Sequence, residues 1–306
     1  MAAARSIRPA LSAVLAAFTL AACAMPILRA PDTPETLVIG SWNLEHLAAR
    51  AGEGCRARTE NAFALMREAA RPFTGEADVI AFQEVESVAA AHRIFPADAF
   101  DILIETRPGS ARRTECRGRP GQQLTRQAVG FAIRKGLRHQ RHPDLTALQL
   151  GDPDLRSGVD VTVYPPGRPP IRLLAVHLKS GCPTGREREA CDTLFRQLPI
   201  LEDWIDARAA EGVRFAVLGD FNRRLAAPDD PFWAAIDDGQ PAGADLRLAA
   251  GARRPACDPR YGDFIDHIVL GERTGGTPAD FEEWRIGPRE PRISDHCPIS
   301  LRVSDE

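Results

Sequence analysis

In the string "RISDHCPISLRV", Arg292 to Val303, two ionisable neighbours, Asp295 and His296, stand before an apolar alternation of Ile299, Leu301 and Val303. Alternate strand side chains point to opposite faces, so each of the pair must find its partner elsewhere in the chain. Other apolar runs halt in the same way. Asn43 and Glu45 close "VIGSWNLE", Glu84 closes "DVIAFQE", and Asp220 and Asn222 close "FAVLGDFN". His177 interrupts "LLAVHLKS" and Asp266 interrupts "FIDHIVL". Each has a plain reading by itself: Asn43 or Asp220 could set a turn, Glu84 could face water, His177 could be a satisfied core histidine. Together they make a set of carboxylates, amides and imidazoles, groups that need partners if half-buried. Ligand sites in α/β sheets gather just beyond strand carboxyl ends. The set reads as one reaction centre.

The elements that must carry these groups are short and alternate in type. "TLVIGSWNL", "DVIAFQEV", "FDILIET" and "AVGFAIRKG" predict strands, as do "RFAVLGDFN", "DFIDHIVLG" and "HCPISLRV". "VDVTVYP" and "IRLLAVHLKS" flank "PGRPP", a turn that predicts a hairpin. "RTENAFALMREAARPF" predicts a helix through Phe63, Met66 and Ala70, ending at Pro72. "TLFRQLPILEDWIDARAAEG" predicts an amphipathic helix kinked at Pro199. With no short-period repeat and no Gly/Ser linker, the body reads as one domain over residues 36–304.

Composition limits the classes. A formal charge of -3 in 306 residues carries no basic excess for bulk nucleic-acid binding, and 44% hydrophobic residues exclude a disordered chain. The start differs. Arg5 and Arg8 precede an apolar run from Pro9 to Ala22, too short to span a membrane and suited to a secretory signal. Its end, "LAAC", resembles the lipobox of bacterial lipoproteins, which implies removal of residues 1–22 and acylation of Cys23. A plain signal peptide cut after "ACA" is the alternative. Residues 23–35 read as a tether, and the chain as exported and held by lipid to a bacterial membrane facing the periplasm or exterior. Six further cysteines in an exported chain read as disulfides. Cys182 and Cys191 flank a short polar loop and predict one bridge; the other pairings stay open.

"SWNLEHL", "DVIAFQEVE", "LRSGVDVTV", "LLAVHLKSG", "LGDFN", "FIDHIVL" and "ISDHCPISL" follow one another as in the endonuclease/exonuclease/phosphatase superfamily. The chain resembles that group over nearly all of its mature length. The resemblance implies an α/β fold, a four-layer sandwich of two facing, mostly antiparallel sheets flanked by helices. It also implies hydrolysis of a phosphoester with Mg²⁺ or Mn²⁺. Glu84 would be the main metal ligand, with Asn43 beside it and Asp295 adding a carboxylate. His296 would take a proton from water while Asp266, on the strand before it, fixes its tautomer. Asp220 and Asn222 would position water or phosphate, and His177 would donate to a phosphate oxygen or protonate the leaving group. Arg156 in "LRSG" matches a phosphate-contacting arginine of some members. Gln127 stands where several relatives have a glutamate that orients the second histidine, so here an amide would bond His177.

The substrate is less legible. "RPGSARRTECRGRPGQQLT" carries Arg107, Arg112, Arg113, Arg117 and Arg119 and could clamp a phosphate backbone, or be a solvated charge run. The leading expectation is a nuclease-like phosphodiesterase acting on DNA or RNA. A phospholipid, sphingomyelin or sugar-phosphate esterase is the enzymatic alternative, and a non-catalytic binding lipoprotein the alternative of another class. No protein partner is evident, and a monomer is expected.

Overall fold

The computed structural model describes Met1 and residues 36–108, 114–258, 260–286 and 293–305. Cys23, the leader and the tether lie outside the described residues, as do Arg112 and Arg113. The compact unit described below runs from Pro34 to Glu306.

Twelve strands form among the described residues: β1 Leu37–Leu47, β2 Val79–Val85, β3 Phe100–Ile104, β4 Ala128–Arg134, β5 Arg138–Arg141, β6 Val159–Tyr164, β7 Ile171–His177, β8 Arg214–Asp220, β9 Leu246–Leu248, β10 Asp266–Gly271, β11 Phe281–Glu283 and β12 Ile299–Val303. The first sheet has the order β11-β12-β1-β2-β4-β3, the second β5-β6-β7-β8-β10-β9. Each contains one parallel pair, β1 with β2 and β7 with β8, and is otherwise antiparallel. A parallel pair needs a crossover, and each gets a helix: α1, Glu60–Glu76, and α3, Glu189–Ala210, with the single turn α2, Val88–Ala91, between them in the chain. The two sheets therefore repeat one topology, strand for strand.

Period-two alternation divides each strand between two cores. Leu37, Ile39, Val79, Ala81, Leu173, Ala175, Ala216 and Leu218 meet between the sheets. Val38, Trp42, Ile80 and Phe82 pack outward with Phe63, Met66 and Phe73 of α1. Val217 and Leu174 pack outward with Leu194, Leu201 and Ile205 of α3. The result is the four-layer α/β sandwich.

Pro72 does not end α1, which continues one more turn to Glu76. Pro72 is exposed, so the carbonyl that loses its partner faces water, while buried Phe73 anchors the last turn against Trp42 and Trp284. α3 likewise runs through exposed Pro199. The expected hairpin is β6–β7. Asp266 is not on the strand preceding β12: β11 intervenes, and β10 belongs to the other sheet. Three disulfides pair Cys55 with Cys116, Cys182 with Cys191, and Cys257 with Cys297. Among the described residues, no helix is long and apolar enough to cross a membrane.

Candidate active site

The inner row of the second sheet ends in chemistry. Continuing Leu173 and Ala175 on β7 leads to His177, and continuing Ala216 and Leu218 on β8 leads to Asp220. Antiparallel β10 begins with Asp266 on the same face. Register places His177 opposite Asp220 and Asp220 opposite Asp266, one row across three strands. Gly219 permits this closeness: a Cβ there would stand 1.9 Å from the Val176 carbonyl oxygen.

The first sheet reaches the same place by breaking its alternation. Asn43 continues the inner row of Leu37, Ile39 and Ser41. Beyond it, Leu44, Glu45 and His46 of β1 oppose the single residue Glu84 of β2 before pairing resumes at Leu47 and Val85. Glu45, His46 and Glu84 take φ of 44°, 52° and 60°, a left-handed conformation that costs a non-glycine residue free energy. The parity change is visible in the core: Phe82 and Val85, an odd number of residues apart, both face outward. A regular strand would aim Glu84 at α1. The bulge turns it inward.

The groups converge. The Asn43 amide donates to Asp220 Oδ2 at 3.0 Å and to Glu84 Oε1 at 3.4 Å. His177 Nε2 stands 3.5 Å from Asp220 Oδ2 and 3.9 Å from Glu84 Oε1. The backbone N–H of His46 donates to Glu84 Oε2 at 3.0 Å. Burial works against the Glu84 charge, but His46, His296 and Arg156 outweigh it and hold the carboxyl below its usual range. Burial, with the charge of Asp266, pushes Asp220 up to about 7. Burial, then Arg156, His296 and His46, pushes His177 well below the usual value, so the ring is neutral.

His296 lies in the loop before β12 rather than on the strand. Its Nδ1 bonds Asp266 Oδ2 at 2.6 Å, and its Nε2 stands 3.9 Å from Asp220 Oδ2. Burial opposes its charge, yet Asp266, Asp220 and Asp295 raise its proton affinity well above that of an ordinary histidine. The loop is fixed from below. Trp42 Nε1 donates to the His296 carbonyl at 3.0 Å. Ser294 Oγ donates to the Asn43 carbonyl at 2.8 Å and accepts the His296 N–H at 3.1 Å. Buried Arg58, ahead of the Thr59 cap of α1, donates to the carbonyls of Leu44, Glu45 and Ile293, tying the bulge to this loop.

Other expected residues stand further out. Asn222, at φ 53°, donates its side chain to Leu178 O, and its backbone N–H goes to Asp220 Oδ1 at 2.8 Å. Asp295 is at the rim, 57% exposed, with Oδ1 3.9 Å from His296 Nε2. Arg156 is buried, donating to Leu178 O, with Nε lacking a hydrogen-bond partner among the described residues. Gln127 does not meet His177: it contacts His46 Nδ1 at 3.2 Å, and His177 Nδ1 has no hydrogen-bond partner among the described residues. The left-handed turn at His46 brings that ring into the place, which residue types alone do not announce. Arg107 is not a free clamp either, since it is buried in an ion pair with Glu105 at 3.0 Å. His46, Arg58, Trp42 and Ser294 were not singled out from sequence. Ser294 could have been, because a hydroxyl two residues before a histidine can accept its N–H.

The donor set fits a divalent cation. Glu84 and Asp220 offer hard oxygens, and donor atoms of Asp220, Asp266 and His296 lie within 4.8 Å of one another. Asn43 turns its amide N–H groups to both carboxylates, while its Oδ1 accepts the Glu45 N–H at 3.0 Å. The Asp266 charge helps raise the proton affinity of Asp220, crowding that a cation would relieve. Beside His296 and Asp266 opens a cavity of about 360 Å³, lined by Arg224, Tyr261, Asp263, Phe264 and the Cys257–Cys297 bridge.

The sequence matches the profile described as "Endonuclease/Exonuclease/phosphatase family" over residues 40–296. No curated protein sequence matches the chain. Among solved structures, D. rerio TDP2 complexed with single strand DNA product is similar, at TM-score 0.58 and 18% identity, over 88% of this chain and 99% of that one. The human Nocturnin catalytic domain with bound sulfate anion matches at TM-score 0.54 and 15% identity, over 89% and 94%. An endonuclease/exonuclease/phosphatase family protein from Bacteroides thetaiotaomicron matches at TM-score 0.53 and 12% identity, over 89% and 98%. These likenesses show the fold.

Proposed function

The chain belongs to the endonuclease/exonuclease/phosphatase family, and from that premise we propose that it is an exported, lipid-anchored phosphodiesterase acting on nucleic acid. Family membership implies a metal-dependent phosphoester hydrolase. The observation that carries the reading is the Asn43 amide bonded to both Glu84 and Asp220, with Asp220 also flanking His296. Cation donors and an oriented base meet at Asp220.

Glu84 would hold the cation, Mg²⁺ or Mn²⁺, with Asn43 joining it by exchanging the Oδ1 contact to Glu45 N–H for the ion, and Asp295 at the rim would add a carboxylate. When bound, the cation neutralises phosphate charge and acts as a Lewis acid. His296 Nε2 accepts a proton from water as the water oxygen bonds phosphorus. Asp266, on Nδ1, keeps the proton there so that Nε2 is the acceptor, and stabilises the imidazolium that forms. Asp220 positions the attacking oxygen, and Asn222 acts through it, its backbone N–H holding Asp220 Oδ1. Neutral His177 donates its N–H to a non-bridging oxygen. The P–O ester bond breaks, and the departing oxygen takes a proton from solvent. Arg156 supplies positive charge behind the phosphate.

The nucleic-acid reading draws on D. rerio TDP2, solved with a single strand DNA product. Export draws on the leader and the paired cysteines. The deciding experiment is a substrate panel on purified protein: plasmid DNA, bis-p-nitrophenyl phosphate and sphingomyelin, each with Mg²⁺ or EDTA. Metal-dependent DNA cleavage, lost in folded His296→Ala, is expected. Equal turnover in the variant removes the mechanism; turnover of sphingomyelin alone replaces the substrate; no turnover on any ester leaves a binding module. Mass spectrometry of the mature N-terminus is expected to find acylated Cys23, and an unmodified Ala24 or Met25 start refutes lipidation.

A further inference from the structure

We infer that His46 is a nitrogen ligand of the cation held by Glu84, so that this site prefers Mn²⁺ to Mg²⁺ more strongly than an all-oxygen site would. The inference rests on the proposed metal-dependent hydrolase and goes beyond it by naming a ligand and a selectivity.

The two oxygens of Glu84 face different company. Oε1 is met by Asn43 and, further off, by His177. Oε2 is met by His46, through its backbone N–H at 3.0 Å and its ring Nε2 at 3.6 Å. Neighbouring donors around one octahedral ion with bonds near 2.1 Å stand about 3 Å apart, so a small ring movement brings Nε2 and Oε2 onto one cation. The ring is about a quarter exposed, open to an entering ion. Two left-handed residues, His46 and Glu84, hold it there, and strain of this kind persists where surrounding structure over-determines it.

Gln127 supplies the second part. Histidines that bind metal through one nitrogen bond a fixed group through the other. The Gln127 amide nitrogen faces His46 Nδ1 at 3.2 Å, so without a cation it donates to Nδ1 and Nε2 carries the ring proton toward Glu84. Turning the amide over presents its oxygen, which accepts Nδ1–H and frees the Nε2 lone pair. An amide can serve both states because it carries a donor and an acceptor. A carboxylate only accepts. Imidazole nitrogen suits transition metals, whereas Mg²⁺ keeps oxygen ligands and water.

The test uses the whole mature protein, stripped of metal and titrated with Mn²⁺, read by the loss of the free-ion EPR signal. Electron spin-echo modulation of bound Mn²⁺ is expected to show a coupled nitrogen that disappears in His46→Gln and remains in His177→Gln. His46→Gln is expected to weaken Mn²⁺ binding about tenfold to a hundredfold while changing Mg²⁺ competition much less. Mn²⁺ bound to wild type without nitrogen coupling, or with coupling that survives His46→Gln, overturns the assignment. Equal loss for both metals also overturns it, since the ring would then act only by orienting Glu84. If His46→Gln fails to fold, Mn²⁺ broadening of the His46 ring resonances in wild-type protein decides: resonances left sharp refute the ligand. Failure of Mn²⁺ to bind at all is a different result, and it sinks the hydrolase reading itself.

Discussion

Replacing Asp266 by Asn isolates the orientation of His296. The side chain keeps its size and can still reach the ring, so β10 and its pairing with β8 should persist. What changes is the hydrogen bond at 2.6 Å. A hydrogen bond to a charged partner contributes about 1.5–3 kcal/mol, and each 1.36 kcal/mol is a factor of ten in rate. Loss of that stabilisation as His296 becomes imidazolium therefore slows the reaction by about 10- to 100-fold. Asn also permits the reverse bond, with its amide donating to Nδ1 and leaving the proton on Nε2, where it blocks the base. General-base catalysis is worth about 10²- to 10⁴-fold, and the expected loss in kcat lies in that range.

The pH profile carries an independent sign. Asp266 is the largest of the groups that raise His296, and hydrolysis needs the neutral ring. The acid limb of kcat should therefore move to lower pH in Asp266→Asn. Stability changes with it. A histidine whose folded proton affinity exceeds its unfolded one stabilises the fold below its unfolded pKa, and that contribution fades as pH rises through the raised folded value. The Tm gap between wild type and variant should thus be widest at acid pH and narrow upward. Hydrolysis of bis-p-nitrophenyl phosphate at saturating metal, over about pH 5 to 9, reads the rate. A kcat within about threefold of wild type, or an unmoved acid limb, refutes Asp266 as the orienting group.

Glu84→Gln keeps the hydrogen bond from Asn43 but removes the charge, and should weaken Mn²⁺ binding at least about tenfold by EPR titration; unchanged affinity refutes the metal assignment. Ser294→Ala leaves the buried Asn43 carbonyl and His296 N–H short of a partner, and should cost about 1–3 kcal/mol in urea unfolding together with a fall in kcat. His267 is buried on the Arg223 carbonyl, and burial lowers it from 6.5 to about 4. It stays neutral in the fold while the unfolded chain binds protons, so stability should fall by about 3 kcal/mol as pH drops through that interval. His267→Phe should flatten that part of the profile, and an unchanged slope refutes the assignment.

The sequence by itself determined the face of each residue within a strand. Asp220 follows Ala216 and Leu218 by twos, so it had to share their side of the sheet, as His177 shares that of Leu173 and Ala175. The strands and the gathering of acids, amides and imidazoles at their ends were legible because period and apolar content are local; the four-layer fold was legible only through the resemblance of the ordered motifs to the family. Strand pairing is long-range. It set Asp266 in the sheet opposite β12 and hid β5, β9 and β11, which are too short or too polar to show a period. The site itself turned on backbone sign at three non-glycine residues, Glu45, His46 and Glu84. No residue type there requires a left-handed conformation; the bulge between β1 and β2 imposes it, held by Arg58 on the surrounding carbonyls. That is why Gln127 meets His46 instead of His177: tertiary packing decided which imidazole stood within its reach.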